Sequence, residues 1–355
     1  MKRALFVSSR TRDRSSALHG QPFGARQDSG RVSFLALAVA LSVLFLQSCG
    51  AVRSEDENYD SVVRNARPIS SFTIPPKDPD VKYLQFEAVG DGGTGMSGQK
   101  EVAESMSRKA SEDSASFILV LGDNFYESGV SSVSDPQWQR KFEDVYSQRS
   151  LQIPFYAILG NHDYRSNPQA EVKYSSASTR WRMPDRYYTF SSAVDDSTRV
   201  QFFCIDTTPL AEDKGVDTAS ISESDRRQVR WLDQQLQESS ARWKIVLGHH
   251  TIYSGGEHGD DPHLAALIEP LFEKFGVDVY LCGHDHHQEI LKPIRGVYYI
   301  VSGAGGKHRS VTWRDNTLYA GTNLGFTWYR VSRNDLLVEF YTRAGKLDFA
   351  YTISK

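Results

Sequence analysis

A chain of 355 residues with 39% hydrophobic and 24% charged residues has the composition of a folded globular protein, with room for one large domain or two modest ones. Its formal net charge of −3 excludes a general binder of nucleic acid or of anionic membrane surface, which would carry a basic excess. Three cysteines without regular spacing exclude a disulfide framework, so Cys204 and Cys282 read as thiols buried inside strands.

The first recognisable segment is apolar. Phe34 to Leu46 spans 13 residues, too short for a comfortable membrane span and the right length for the core of an export signal. It runs into Leu46-Gln47-Ser48-Cys49-Gly50, which resembles the lipobox of bacterial lipoproteins, where the cysteine is lipidated. The expectation is therefore an export signal over 1–48 and localisation facing the periplasm or cell exterior. Membrane attachment is expected only through a lipid anchor at Cys49. Residues 49–80 are polar and carry Pro68, Pro75, Pro76 and Pro79, the composition of a flexible tether. From Val81 short apolar runs alternate with amphipathic stretches, which predicts an α/β domain over 81–355.

Three helices follow from periodicity and end signals. Ser97 to Ser111 places Val102, Met106 and Ala110 at four-residue steps. Ser222 to Ser240 opens with Ser222 and Asp225 in a capping arrangement and aligns Val229, Leu232 and Leu236. Pro262 to Phe275 begins with proline at the first helical position and ends before Gly276. Beyond Gly296 the runs Val297–Val301, Phe326–Val331, Leu336–Tyr341 and Leu347–Ile353 predict strands, grouped as a second, largely antiparallel sheet region.

Five runs share one design. They are Phe86–Asp91, Phe117–Asp123, Phe155–Asn161, Trp243–His249 and Val277–His284, each apolar and then closed by Gly and a ligand-type residue. Continuous apolar runs suit strands buried on both faces. The glycine permits a sharp turn and close approach, and ligands gather at the carboxyl ends of strands in such sheets. Singly, each Gly-Asp or Gly-His is an ordinary turn. Together they offer Asp91, Asp123, Asn161 with His162, His249, and His284 with His286, a set suited to two metals. On extended chain His284 and His286 face the same way.

These residues name a family. Gly90-Asp91-Gly92-Gly93, Gly122-Asp123-Asn124-Phe125-Tyr126, Gly160-Asn161-His162-Asp163, Gly248-His249 and Gly283-His284-Asp285-His286 resemble the calcineurin-like metallophosphoesterases. Tyr126, Glu257-His258-Gly259 and Ser302-Gly303-Ala304-Gly305 narrow the resemblance to the purple, or tartrate-resistant, acid phosphatases of the small animal type. The resemblance implies a four-layer α/β/β/α sandwich of two mixed sheets. It assigns Asp91, Asp123, Tyr126 and His286 to one metal and Asp123, Asn161, His249 and His284 to the other, with Asp123 shared.

Phenolate and carboxylate donors favour Fe(III) at the first position, and the imidazole-rich second position suits a divalent Fe, Zn or Mn. The implied activity is hydrolysis of phosphate monoesters at acidic pH by a hydroxide that the metals generate, with His162 and His258 as proton donors. A phosphodiesterase or nucleotidase of the same superfamily is the alternative, and a non-catalytic binding lipoprotein a more distant one. Asp163 either orients a neighbour or closes its turn. His250, His263, His287 and His308 fall outside the ligand pattern and read as surface or packing residues, and Asp206 as structural. The polar segment from Thr207 to Ser222 reads as a loop beside the site.

Overall fold

The computed structural model describes residues 61–69, 71–211 and 222–355. The apolar segment, Cys49 and the central part of the Thr207–Ser222 loop lie outside the described residues. Among those described, no helix is long and apolar enough to cross a membrane.

In chain order the strands are β1 (Val63–Arg64), β2 (Leu84–Val89), β3 (Ile118–Val120), β4 (Phe155–Ala157), β5 (Trp181–Arg182), β6 (Tyr188–Ala193), β7 (Arg199–Cys204) and β8 (Trp243–Leu247). They continue with β9 (Val279–Cys282), β10 (Gln288–Leu291), β11 (Tyr298–Ser302), β12 (Val311–Thr312), β13 (Thr317–Gly321), β14 (Gly325–Val331), β15 (Asp335–Thr342) and β16 (Leu347–Ser354). The helices are α1 (Ser97–Asp113), α2 (Pro168–Tyr174), α3 (Glu223–Glu238) and α4 (Pro262–Phe275).

Two seven-stranded mixed sheets stack face to face. One runs β16-β15-β14-β2-β3-β4-β5, the other β13-β10-β11-β9-β8-β7-β6. The faces between them are apolar: Phe86 meets Phe202 edge-on at 5.3 Å, and Phe117 meets the same ring at 5.4 Å. Because side chains alternate along a strand, Phe202 and Cys204 point inward while Phe203 and Ile205 join Leu232, Leu236, Ile268 and Phe272 of α3 and α4 outside. On the opposite side α1 buries Val102 and Met106 against the first sheet. Each sheet is therefore covered on both faces, which explains why the strand runs are continuously apolar rather than alternating. The expected four-layer sandwich is the observed one.

All three predicted helices are present, with end signals that act as anticipated. The Ser222 side chain caps the backbone N–H of Asp225, and Gly276 closes α4 at φ 64°. Cys204 and Cys282 are buried and free.

Two expectations need correction. The strands beyond Gly296 do not form a sheet of their own. β14, β15 and β16 extend the first sheet, with β14 antiparallel to β2, whereas β11 runs parallel to β9 in the second. The sequence shows the strands but not their neighbours, because pairing is chosen by contacts remote in the chain. Nor is the described part of the 49–80 tether free of the domain: Val63 and Arg64 pair in parallel with Val311 and Thr312, and Val63 packs with Val311, Trp313 and Ala320.

Candidate metal centre

The five strand ends meet at one edge of the sandwich. Asp91 and Asp123 follow β2 and β3 in the first sheet, and Asn161 and His162 follow β4. His249 follows β8 and His284 follows β9 in the second. Backbone bonds tie the loops: Asp91 N–H donates to Gly122 O at 3.0 Å, and Gly90 N–H to Ser302 O at 2.8 Å.

The glycines act mainly by absence of bulk rather than by turning. A Cβ on Gly160 would lie 2.3 Å from the Asp123 carboxylate, and one on Gly283 would lie 2.4 Å from that of Asp91. The turning is shared by Gly122, at φ 86°, and by three of the predicted donors. Asp91, Asp123 and His284 hold φ of 57°, 51° and 68°, the left-handed region. Such strain costs about 1–3 kcal/mol per residue and gathers where function requires a fixed geometry.

The predicted donors converge as two groups joined at Asp123. In the first, the Tyr126 hydroxyl lies 2.9 Å from Asp91 Oδ1 and 3.0 Å from His286 Nε2. Among the described residues, Asp91, Asp123 and His286 bring donor atoms within 4.8 Å of one another, all three buried. In the second, His249 Nε2 stands 3.2 Å from Asn161 Oδ1, 3.2 Å from His284 Nδ1 and 3.5 Å from Asp123 Oδ1. Nδ1 of His249 lies 2.8 Å from the Leu121 carbonyl, which can only accept, so Nδ1 carries the proton and Nε2 presents its lone pair inward.

This crowding is the test of fit for a metal. Buried oxygen and nitrogen lone pairs face one another with too few protons to satisfy them, an arrangement that needs cations at its centre. Burial pushes the Asp91 carboxyl up to about 8, and the neighbouring Asp123 adds to this against the pull of His249. Burial also raises Asp123, but His249 and His162 outweigh it and hold that carboxyl below its ordinary value. His284 is held well below the usual imidazole range by burial and then by His250 and His249, so it stays neutral and ligand-competent.

Two histidines flank the donors. His162 stacks edge-on against Tyr126 at 4.5 Å, and its Nδ1 donates to the Glu127 carbonyl at 2.9 Å, leaving Nε2 as the exchangeable position. His258 lies over the His284 ring at 4.0 Å. Burial lowers both from the ordinary imidazole value, which confines their protonated forms to more acidic solution.

Supporting residues complete the site. Asp163 closes its turn and also joins two loops, accepting from the backbone N–H of Gly160 at 2.8 Å and of Asn124 and Phe125 at 3.2 Å each. Asp285 holds the His258 loop, accepting from His258 N–H at 3.0 Å and from the Ser254 hydroxyl. Asp206 accepts from Tyr164 at 2.5 Å and faces the Arg186 guanidinium at 3.6 Å.

His250 is the residue that sequence reasoning missed. Its ring packs 4.4 Å from that of His284, which also lies 4.0 Å from the His258 ring. Thr207 Oγ1 accepts from the backbone N–H of both His249 and His250 and lies 2.9 Å from His250 Nδ1. The Gly248-His249-His250 run carries a hint, but only the meeting of β7 and β8 brings Thr207 to it. The cation-bearing loop after β11, with Lys307 and Arg309, also went unread.

Comparison with known proteins identifies the family. The profile of the calcineurin-like phosphoesterases matches residues 88–288. Tartrate-resistant acid phosphatase type 5 of Oryctolagus cuniculus is 33% identical over 310 residues, covering 81% of this chain and 95% of its own. Purple acid phosphatase 4 of Arabidopsis thaliana is 33% identical over 288 residues, covering 77% and 84%. Among solved structures, GAP50, described as the anchor in the inner membrane complex of Plasmodium, superposes with a TM-score of 0.70 at 25% identity, covering 77% of this chain and 89% of that one. The chain belongs to the calcineurin-like phosphoesterases and, within them, to the purple, or tartrate-resistant, acid phosphatases.

Proposed function

We propose that this chain hydrolyses phosphate monoesters at a two-metal centre. Asp91, Asp123, Tyr126 and His286 would hold one ion, and Asp123, Asn161, His249 and His284 the other. The observation that carries this reading is the double convergence of buried lone pairs on a shared Asp123. Phenolate with two carboxylates favours Fe(III) at the first position, and two imidazoles with a carboxamide favour divalent Fe, Zn or Mn at the second. When bound, the ions would withdraw charge from the phosphoryl oxygens and supply a nucleophile from water.

The remaining work falls to side chains. His162 stands beside the first donor group and His258 beside the second. Each can hold a proton for the leaving alkoxide and place positive charge near the phosphoryl oxygens. The Glu127 carbonyl fixes the His162 tautomer so that Nε2 makes the transfer. His249 keeps its donor atom aligned through the Leu121 contact, and Asp163 ties the Gly160 backbone that immediately precedes Asn161.

The test is metal analysis of purified protein with its visible spectrum, together with rates on phenyl phosphate and on its diester. Tyr126→Phe is expected to abolish the visible band while the second metal remains. Iron-loaded protein without a band would remove Tyr126 from the ligand set. Faster turnover of the diester would move the chain to the phosphodiesterases.

The likeness to an anchoring protein supplies a second reading, in which the fold binds and catalysis is lost. The complete donor set disfavours it. Unchanged phosphate release after His162→Ala and Asn161→Ala would revive it. We further propose that the domain is exported and held by lipid on Cys49. Labelled palmitate that still enters the Cys49→Ser protein would refute the lipid site.

A further inference from the structure

The loop after β11 carries Lys307, His308 and Arg309. His308 turns away, its Nδ1 2.8 Å from the Ser61 hydroxyl. Lys307 and Arg309 turn to the metal centre. The Lys307 ammonium lies 3.9 Å above the Tyr126 ring and 2.6 Å from Glu127 Oε1. Arg309 donates its backbone N–H to His286 O at 2.7 Å, and its guanidinium lies 3.1 Å from Glu257 Oε2. Glu127 stands 3.7 Å from His162, and Glu257 directly precedes His258. One cation–carboxylate pair thus stands beside each proton donor.

The two halves of each pair are unequally held. Lys307 and Arg309 side chains are 26% and 31% exposed, whereas Glu127 and Glu257 are 70% and 45% exposed. The cations are seated against the site and the carboxylates can swing into solvent. Exposed pairs of this kind contribute little, while a phosphate or carboxylate bound by an arginine fork gains two charge-assisted hydrogen bonds.

We propose that Lys307 and Arg309 form a second anion subsite at the mouth of the metal centre. It selects phosphomonoesters whose alcohol portion carries another phosphate or carboxylate. The incoming anion displaces Glu127 and Glu257 from the two cations while the scissile phosphate occupies the metal centre. This inference rests on the phosphatase reading and assigns its substrate class.

The test compares 2,3-bisphosphoglycerate with glycerol 2-phosphate, which lacks a second anion, in the metal-loaded protein and in the double variant Lys307→Gln, Arg309→Gln. The readout is the ratio of kcat/KM on the two substrates, which does not depend on the fraction of protein folded or loaded. That ratio is expected to fall at least tenfold in the double variant, chiefly through KM on the bisphosphate, and to recover in Lys307→Arg, Arg309→Lys. An unchanged ratio overturns the subsite. If neither substrate is turned over by the parent protein, the phosphatase reading fails instead. Calorimetric binding of 2,3-bisphosphoglycerate then decides: at least tenfold weaker binding by the double variant supports the subsite, and equal binding overturns it.

Discussion

Replacing Asp163 tests whether one buried carboxyl holds the two ligand loops together. It is fully buried and accepts three backbone N–H groups, those of Gly160, Asn124 and Phe125, which sit beside Asn161, Asp123 and Tyr126. Asp163→Ala leaves all three donors without their acceptor, at about 1–3 kcal/mol each. Even at the lower end the loss is about 3 kcal/mol, a large share of the ~5–15 kcal/mol that stabilises a domain. With a urea dependence near ~3 kcal/mol/M, the denaturation midpoint of the metal-free protein should fall by about 1 M. Asp163→Asn is the graded control. Gly160 and Asn124 both donate to Oδ2, whereas Phe125 donates to Oδ1, so an amide oxygen at Oδ2 keeps two of the three bonds. Its expected loss is about 1 kcal/mol. An alanine variant with an unshifted midpoint, or an asparagine variant as damaged as the alanine one, would refute the clamp.

Glu171 lies fully buried beside Asp163 and accepts from Asn124 Nδ2 at 2.9 Å; burial first, and Asp163 second, push its carboxyl well above the ordinary value. Its neutral form therefore favours the fold below the ordinary carboxylate value, and that contribution is lost as pH rises toward the folded one. Glu171→Gln keeps the neutral shape, so unfolding curves across pH should show equal stability near pH ~4 and a growing advantage for the variant above it; a shrinking one refutes the assignment. Gly160→Ala puts a Cβ 2.3 Å from the Asp123 carboxylate and should cost about 1–3 kcal/mol and lower metal content per chain, which elemental analysis would read. His250→Phe keeps a ring against His284 but loses the Thr207 contact. It should hold two metals per chain where His250→Ala holds fewer, and equal occupancy in both would exclude a stacking role.

Much of the site was legible because its physics is local. An apolar run, a glycine and a ligand-type residue record a doubly covered strand ending where another chain segment must come close, and five such records in order imply a shared destination. The glycines act in both expected ways, Gly122 turning and Gly160 and Gly283 making room, while Asp91, Asp123 and His284 also adopt the left-handed turn. The partners of His250 were not legible because Thr207 and His284 come from other strands.

The sequence by itself determined the layered class, the helix ends, the candidate donor residues and the family, since periodicity, capping and steric allowance are written in neighbouring residues. Only the tertiary structure decided which sheet each late strand joins, how Asp163 couples two loops, and which cations guard the mouth. Lys307 meets Glu127 across 180 residues of chain, and no local pattern specifies such a meeting. The order of strands in the two sheets does.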